Sequence, residues 1–465
     1  MSRSREFAAR VRRALADERV TAAMRGTTWR KVTARAESLG ALRDPERLRD
    51  LAAQIKQHTL ERLPEYLTQF ARQVQQAGGH VHPARDAAAA RRLVCDLARQ
   101  YGLKLAVKVK SMTTEEIGLN AALEAAGVEV FETDLGEFII QLDHDRPSHI
   151  VSPIIHKDRR QVAAAMAREL GCAYTEDPIA LTRIARAYLR DVFRRCDLGI
   201  SGTNFAVAET GTLCICTNEG NGRMSTTRPR VHVAIVGIEK IIPRLADLPV
   251  FLKLLSRSST GQPLGSYTTL ITGPKRPADR DGPQHLHVIL LDNGRADILA
   301  GPFAEVLRCV RCGACLNACP VYRRIGGHAY DSVYPGPIGS LLTPLLDAAG
   351  DHYDLPFASS LCGACQTACP VRIDLPGLLL RMRAALHGGQ PWSKRAAIRL
   401  WQWAMGSAAT YQLGQRAMRA FLADDGAGWT TRGAGPLSRW LEARDLQRPP
   451  ARSFRQIWEE YLSRE

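Results

Sequence analysis

Cys309-Val-Arg-Cys312-Gly-Ala-Cys315-Leu-Asn-Ala-Cys319-Pro320 decides how the rest of this chain is read. Its four cysteines are spaced x2, x2 and x3, with proline directly after the last. Turns of this kind wrap three thiolates around one iron–sulfur cube and turn the fourth away to ligate a second. The proline has no backbone N–H and stops the turn from running on as helix. A zinc knot or a set of merely buried thiols is the bland alternative, and four cysteines at this spacing weigh against both.

A second copy follows fifty residues on, Ser359-Ser-Leu-Cys362-Gly-Ala-Cys365-Gln-Thr-Ala-Cys369-Pro370. Both copies share Cys-Gly-Ala-Cys and then Ala-Cys-Pro-Val, an internal repeat. Ligand swapping then predicts two [4Fe–4S] clusters. Cys309, Cys312, Cys315 and Cys369 hold one; Cys319, Cys362 and Cys365 hold the other. Ser359 stands where Cys309 stands in the first copy. The fourth ligand of the second cluster is therefore open: the Ser359 hydroxyl, a distant cysteine, or an iron left to water or a partner. That cluster is expected to be the more labile.

The chain around this pair is long and mixed. Its 465 residues exceed what one core sustains, so two or three domains are expected. Seven of its twelve cysteines lie in the two motifs. The others, Cys95, Cys172, Cys196, Cys214 and Cys216, form no disulfide framework, which points to a reducing compartment. No apolar run is long enough to span a bilayer, and Arg12-Arg13 leads into charged sequence rather than an export signal. A cytoplasmic location is expected, with any membrane contact peripheral. The net charge of +16 reads as a dispersed, arginine-rich surface. Basic residues make no long run with interleaved aromatics, so nucleic acid is not an expected partner.

Residues 1–75 read as a helical segment, with Leu48, Leu51, Ile55, Leu60, Leu63, Leu67 and Phe70 at roughly helical spacing and Gly78-Gly79 closing it. Residues 76–300 alternate. Strands are expected over 79–83, 104–109, 128–133 and 148–153, and helices over 86–100, 112–126, 156–170 and 180–195. Thr113 is the expected N-cap of the second helix, with Glu116 completing a capping box. This rhythm argues for a doubly wound, largely parallel sheet, α/β in class. Such sheets place ligands at the carboxyl ends of their strands. Lys108, Lys110 and Ser111 follow one strand there, and Glu132, Thr133 and Asp134 another.

Further on, two short strands flank Glu209-Thr-Gly, and the second ends in Asn218-Glu219-Gly220-Asn221-Gly222-Arg223. Those glycines permit positive φ and close backbone approach, so with Arg223 the loop could cradle a carboxylate or phosphate; an ordinary turn explains it as well. Cys214 and Cys216 alternate with Leu213 and Ile215 and read as buried thiols, one of which could be the missing ligand. A buried strand from His287 ends in a turn at Gly294. Residues 301–388 carry the motifs, with a loop over 334–340, a short helix over 341–349 and a helix over 375–386. Residues 389–465 form a helical tail, with Trp401, Trp403, Met405, Tyr411 and Leu413 as core.

Several stretches resemble the lactate-utilisation (LUD) domain: Lys110-Ser-Met-Thr-Thr-Glu-Glu-Ile-Gly-Leu-Asn120, Glu132-Thr-Asp-Leu-Gly-Glu137, Ala208-Glu-Thr-Gly-Thr212 and Thr217-Asn-Glu-Gly-Asn-Gly-Arg223. The stretches 278–288 and Leu291-Asp-Asn-Gly-Arg295, and the tail from Trp440 to Arg455, fit the same family. A LUD domain followed by the dicluster stretch is similar to the iron–sulfur subunits of three-protein L-lactate utilisation systems, and the resemblance spans most of the chain. It implies a sugar-isomerase/CoA-transferase-like α/β domain and a mainly helical, bacterial-ferredoxin-like dicluster domain. It implies two companions, a cysteine-rich iron–sulfur protein and a second LUD protein. It also implies electron transfer during oxidation of L-lactate to pyruvate, and a second motif that tends to be short of one cysteine.

No Gly-x-Gly-x-x-Gly follows a strand, so no dinucleotide hydride acceptor is expected, nor oxidation of lactate by this chain alone. The alternative is a LUD-centred enzyme, acting on lactate or another 2-hydroxy acid such as glycolate. In it Glu209 or Glu219 serves as base or covalent carboxylate, and an open cluster iron as Lewis acid. An iron–sulfur regulator would need a DNA-reading module, and no helix-turn-helix pattern stands out.

Overall fold

Four helices open the chain: α1 (Arg3–Ala16), α2 (Glu18–Gly40), α3 (Pro45–Glu61) and α4 (Leu63–Gln76). Asp17 and Asp44 accept the first free amides of α2 and α3, which fixes where each begins. In this computed structural model, residues 3–347, 352, 354–386, 392–424, 428–432, 438, 441, 444, 446–447, 450 and 452–464 are described. The chain divides into two units, Met1–Ala385 and Leu386–Glu465. The apolar stripe of α3 and α4 is turned slightly from expectation. Ala52, Ala53, Leu60, Leu63 and Phe70 are buried, whereas Leu51 is 42% exposed.

Ten strands follow: β1 (His80–Ala84), β2 (Leu105–Lys108), β3 (Glu129–Glu132), β4 (Leu198–Ser201), β5 (Phe205–Val207), β6 (Thr212–Thr217), β7 (Val231–Gly237), β8 (Ile241–Ile242), β9 (Tyr267–Ile271) and β10 (His285–Leu291). Six form one sheet in the order β1-β10-β7-β4-β2-β3, every neighbouring pair parallel. The crossovers run through α5 (Ala87–Gln100), α6 (Met112–Glu116), α7 (Leu119–Ala125), α8 (Leu135–Leu142), α9 (Arg159–Leu170), α10 (Pro178–Arg195), α11 (Asn221–Thr227) and α12 (Leu248–Ser259), and α13 (Arg295–Ala300) follows the last strand. A parallel sheet is covered on both faces, so its strands are apolar at nearly every position. β7 shows this best. Val231, Val233 and Ile235 enter one core with α5 and α7, while Ala234 and Val236 enter another with Phe70 and Val74 of α4. The N-terminal helices are thereby tied to the sheet by apolar packing. A second, four-stranded sheet in the order β8-β5-β6-β9 was not legible as a unit, because β8 is only two residues long.

Three local expectations are corrected. Residues 148–153 form bends and turns, not a strand. His149 Nδ1 accepts the amides of Val151 and Ser152 at 2.9 and 3.1 Å, so the backbone satisfies itself locally. Ser111, not Thr113, caps α6, and Glu116 turns instead to a buried arginine described below. Residues 221–227 are helical, and Gly220 has φ −71°; the glycine that matters is Gly222, where a Cβ would come within 2.8 Å of Thr217.

Short helices carry the cysteine motifs: α14 (Ala314–Ala318), α15 (Tyr322–Ile325), α16 (Gly336–Leu346), α17 (Ala364–Ala368) and α18 (Leu375–Ala385). The expected loop over 334–340 is mostly the start of α16, because Pro337 in its first turn costs no hydrogen bond. Residues 348 and 349 of the helix expected over 341–349 lie outside the described residues.

In the C-terminal unit, α19 (Trp392–Met405) and α20 (Ala408–Phe421) are helical as expected. Three short strands follow, β11 (Ala423–Asp424), β12 (Trp429–Arg432) and β13 (Leu446–Gln447), so the tail is not wholly helical. The core assignment there is overturned. Trp401, Trp403 and Leu413 are 61, 60 and 60% exposed, and Met405 and Tyr411 are also exposed. An apolar stripe on a helix buries only where another element covers it.

Candidate iron–sulfur centre

The two motifs fold alike. Arg311 and Leu361 hold φ of 58° and 56°, and Gly313 and Gly363 hold 75° and 82°. Left-handed backbone is costly for arginine and leucine. Its repetition at matching positions shows a turn bent the same way twice. The Arg311 amide donates to Cys309 Sγ at 3.4 Å, and the Leu361 amide donates to Ser359 Oγ at 3.2 Å. Ser359 thus takes the structural position of Cys309, with a hydroxyl for a thiol.

The sulfurs gather in two sets that interleave the motifs. Cys312 and Cys315 lie within electrostatic reach of Cys309 and Cys369, while Cys365 lies within reach of Cys319 and Cys362. Cys315 also senses Cys365, so the sets adjoin. Burial pushes Cys312 up to about 12 and Cys369 to about 11, and carries Cys315 well above the ordinary thiol range. Burial likewise raises Cys365 to about 12. Thiols so placed become thiolates only when a metal supplies the compensating charge. Cys362 differs: it is exposed, and the Ala364 amide lowers its pKa. The other five cysteines belong to the α/β part, with Cys172 and Cys196 in one apolar cluster, Cys95 at the edge of another, and Cys214 and Cys216 side by side on β6. All twelve are free of disulfides.

Positive charge surrounds the first set, and none of it was legible beforehand. Arg49 Nη2 donates to Thr367 O at 2.6 Å and Cys369 O at 2.8 Å, and Arg35 Nη2 donates to Ala368 O at 3.0 Å. These arginines of α2 and α3 clamp the last turn of the second motif. Arg311, within the first motif, lies over the Tyr334 ring at 4.7 Å and reaches Glu239 at 3.4 Å. Glu239 follows β7, and Glu116 ends α6. Arg295 bridges them, at 2.7 Å to Glu116 and 2.6 Å to Glu239. Tyr334 donates to Glu116 at 2.6 Å. Lys56 and Lys240 are buried beside them. Two buried guanidiniums, Arg295 and Arg311, therefore face two carboxylates, Glu116 and Glu239, and Lys56, which burial lowers to about 7, adds further positive charge. Buried positive charge in excess is costly unless an anion matches it. A thiolate-bound iron–sulfur cluster is such an anion, so the surroundings as well as the thiols fit the group.

The strand ends predicted as ligand-bearing split into two layers. Beneath the surface, Lys108 is 1% exposed and pairs with Glu132 at 2.7 Å and Glu115 at 2.6 Å. Above it, Lys110, Ser111, Asp134 and Glu219 line a cavity of about 480 Å³. Its far wall includes Lys240, Arg311 and Cys312, so the carboxyl ends of the sheet open toward the first cysteine set. Glu209 lies elsewhere, accepting the Leu245 amide at 2.8 Å in a different groove. β6 separates it from Glu219 by about 20 Å of extended chain. Arg223 is exposed on α11 and is not among the residues that line this cavity. Cys216 lines the cavity, not the second sulfur set.

Glu137, which follows Asp134 at the start of α8, is buried with no hydrogen bond to its carboxyl among the described residues. Burial, then Glu132 and Glu115, push it up to about 8, against Lys108 and Lys110. A carboxyl raised in the folded state keeps its proton while the unfolded chain releases it. Stability is therefore undiminished below the ordinary carboxylate pKa and falls as pH climbs to about 8. Glu137→Gln is expected to match the parent near pH 4.5 and to gain on it with rising pH, by roughly 1.4 kcal/mol per unit of that interval at most. Urea unfolding across that range measures the gain; a constant difference would contradict it.

Cysteine turns built on an α/β sheet and ringed by buried cations define an iron–sulfur protein with an appended α/β domain. Residues 67–291 match the family model described as LUD domain, 305–373 the 4Fe-4S dicluster domain, and 384–462 the model named Lactate utilisation protein B, C-terminal. An Escherichia coli relative named "Uncharacterized electron transport protein YkgF" is 42% identical over 99% of this chain and 98% of its own. Lactate utilization protein B of Bacillus licheniformis is 43% identical over 98% of this chain and 97% of its own. The chain belongs to the lactate utilisation protein B family. Among solved structures, a DUF162 family protein from Deinococcus radiodurans covers 49% of this chain and 98% of its own at 16% identity, with a TM-score of 0.28, too low to carry an argument. Among the described residues no helix is long and apolar enough to cross a membrane.

Proposed function

We propose that this chain is the electron-transfer subunit of a three-component system that oxidises L-lactate to pyruvate in the cytoplasm. Cys309, Cys312, Cys315 and Cys369 hold one [4Fe–4S] cluster. Cys319, Cys362 and Cys365 hold the other, with Ser359 at its fourth position. Its companions are a cysteine-rich iron–sulfur protein and a second LUD protein. The fold assignments that go with this reading are a sugar-isomerase/CoA-transferase-like α/β domain and a ferredoxin-like dicluster domain. When bound, the clusters supply single-electron transfer. The observation that carries the reading is the pair of adjoining sulfur sets, one buried among cations and one reaching the surface at Cys362. Arg49 and Arg35 fix the carbonyls around Cys369, and Arg311 lies beside Cys312 at the wall of the cavity. The exposed Cys362 end faces outward, where a partner can approach.

The test is iron analysis with EPR on protein purified anaerobically, as parent and as Ser359→Ala. About eight irons are expected in the parent, from two cubes. Ser359→Ala is expected to keep the buried cluster and lose or perturb the other. About four irons and one cluster signal in the parent, or zinc at these sulfurs, would overturn the proposal.

A further inference from the structure

We propose that the cavity between the carboxyl ends of the parallel sheet and the Arg311-Cys312 turn binds a small 2-hydroxy or 2-oxo carboxylate, with Lys240 as its charge partner. The acid's identity rests on the function proposed above; the site itself rests on geometry. Lys240 is 8% exposed and lines the cavity, and among the described residues its side chain makes no hydrogen bond or ion pair; burial, then Arg311, lower it to about 8, so an anion in the cavity would favour its charged form. An ammonium held out of bulk water without a counter-charge is costly, and an anion in the cavity it faces would offset that cost. Arg311 adds a second cation to the same wall, and its Nη1 also lacks a hydrogen-bond partner. On the opposite side Asn221, 8% exposed, keeps an unpartnered Oδ1.

The cavity volume of about 480 Å³ suits a small molecule with water. The opposite wall selects the anion. Asp134 and Glu219 both line it with Lys110, 3.7 Å from Asp134, as the single cation among them, so a dianionic phosphate there would face two carboxylates against one ammonium. A monoanion with its carboxylate on Lys240 presents only a hydroxyl or carbonyl to that wall. Burial and Asp134 raise Glu219, which suits it to share a proton with such a group. Cys312 lines the same space, so the bound acid would lie beside the first cluster. The competing role for Lys240 is to balance the charge of that cluster, and the experiment separates the two.

Calorimetry on the anaerobic, iron-loaded full chain would use L-lactate, pyruvate, uncharged lactamide and inorganic phosphate. Both acids are expected to bind, and lactamide and phosphate at least tenfold more weakly. Lys240→Met is expected to weaken the acids at least tenfold while iron content and EPR stay unchanged. The ligand-free variant is expected to melt no lower than the parent, because an unpaired buried charge is gone. Lys240→Arg, which keeps the charge, is expected to retain measurable binding. The inference is overturned if neither acid binds the loaded parent, if lactamide or phosphate binds as well, or if Lys240→Met binds within twofold. It is equally overturned if Lys240→Met sheds iron, since the ammonium then serves the cluster. Loaded protein that ignores both acids defeats this inference alone, whereas protein that never loads two clusters defeats the electron-transfer reading.

Discussion

Arg295→Met is expected to destabilise the protein by about 3–5 kcal/mol, the cost of leaving buried charge without its partner. Arg295 is 1% exposed and bonds two carboxylates, Glu116 at the end of α6 and Glu239 just after β7. Gly237 leaves room for that arrangement: a Cβ there would lie 2.3 Å from the Glu239 carboxylate and 3.0 Å from Arg295 Nε. Methionine fills much of the same space and carries none of the charge. Burial works to raise the Glu239 carboxyl; Arg295, then Arg311, outweigh it and hold it at about 2. A depressed carboxyl contributes stability that is present above its ordinary pKa and is lost as pH falls toward the folded value. The parent should therefore weaken between about pH 4.5 and 2. The variant should lose most at neutral pH and close the gap in acid, as its orphaned carboxyls take up protons. Adding Glu116→Gln and Glu239→Gln should recover much of the loss. Urea midpoints at neutral and acidic pH check this; a variant as stable as the parent at pH 7 would show the network to be energetically idle.

Exchanging which motif loses its last cysteine should produce crossed losses. Cys369 lies in the second motif but sits with Cys309 and Cys312, and Cys319 lies in the first but sits with Cys362 and Cys365. Cys369→Ala is expected to remove the buried cluster and leave the exposed one, and Cys319→Ala the reverse. Each should halve the iron, from about eight to about four. The survivor identifies which was lost. In Cys319→Ala it should persist in air, packed against Arg49 and Arg311, and in Cys369→Ala it should decay quickly beside the exposed Cys362. Loss of the air-sensitive cluster in Cys369→Ala would mean each motif ligates its own cube.

Much of this molecule was legible because its signals are local. The alternation of β1, β2 and β3 with helices follows from periodicity, and the cysteine repeat from spacing. Where prediction failed, a distant partner had won. Glu116 looked like a capping residue and became half of an ion pair with Arg295, some 180 positions away. The 148–153 stretch looked extended and instead turns on His149, while Ser148 accepts the Tyr322 hydroxyl at 2.6 Å. Trp401 and Trp403 looked like core, yet they stand 61 and 60% exposed.

By itself the sequence determined the parallel α/β sheet, the two cysteine turns and the serine that breaks their symmetry, since each depends on neighbours within a few residues. Only the tertiary structure decided that the first turn closes over the carboxyl ends of the sheet, with Arg35 and Arg49 from the opening helices clamping the second. Charge pairing across hundreds of residues follows where the chain comes together, and no spacing along it records that.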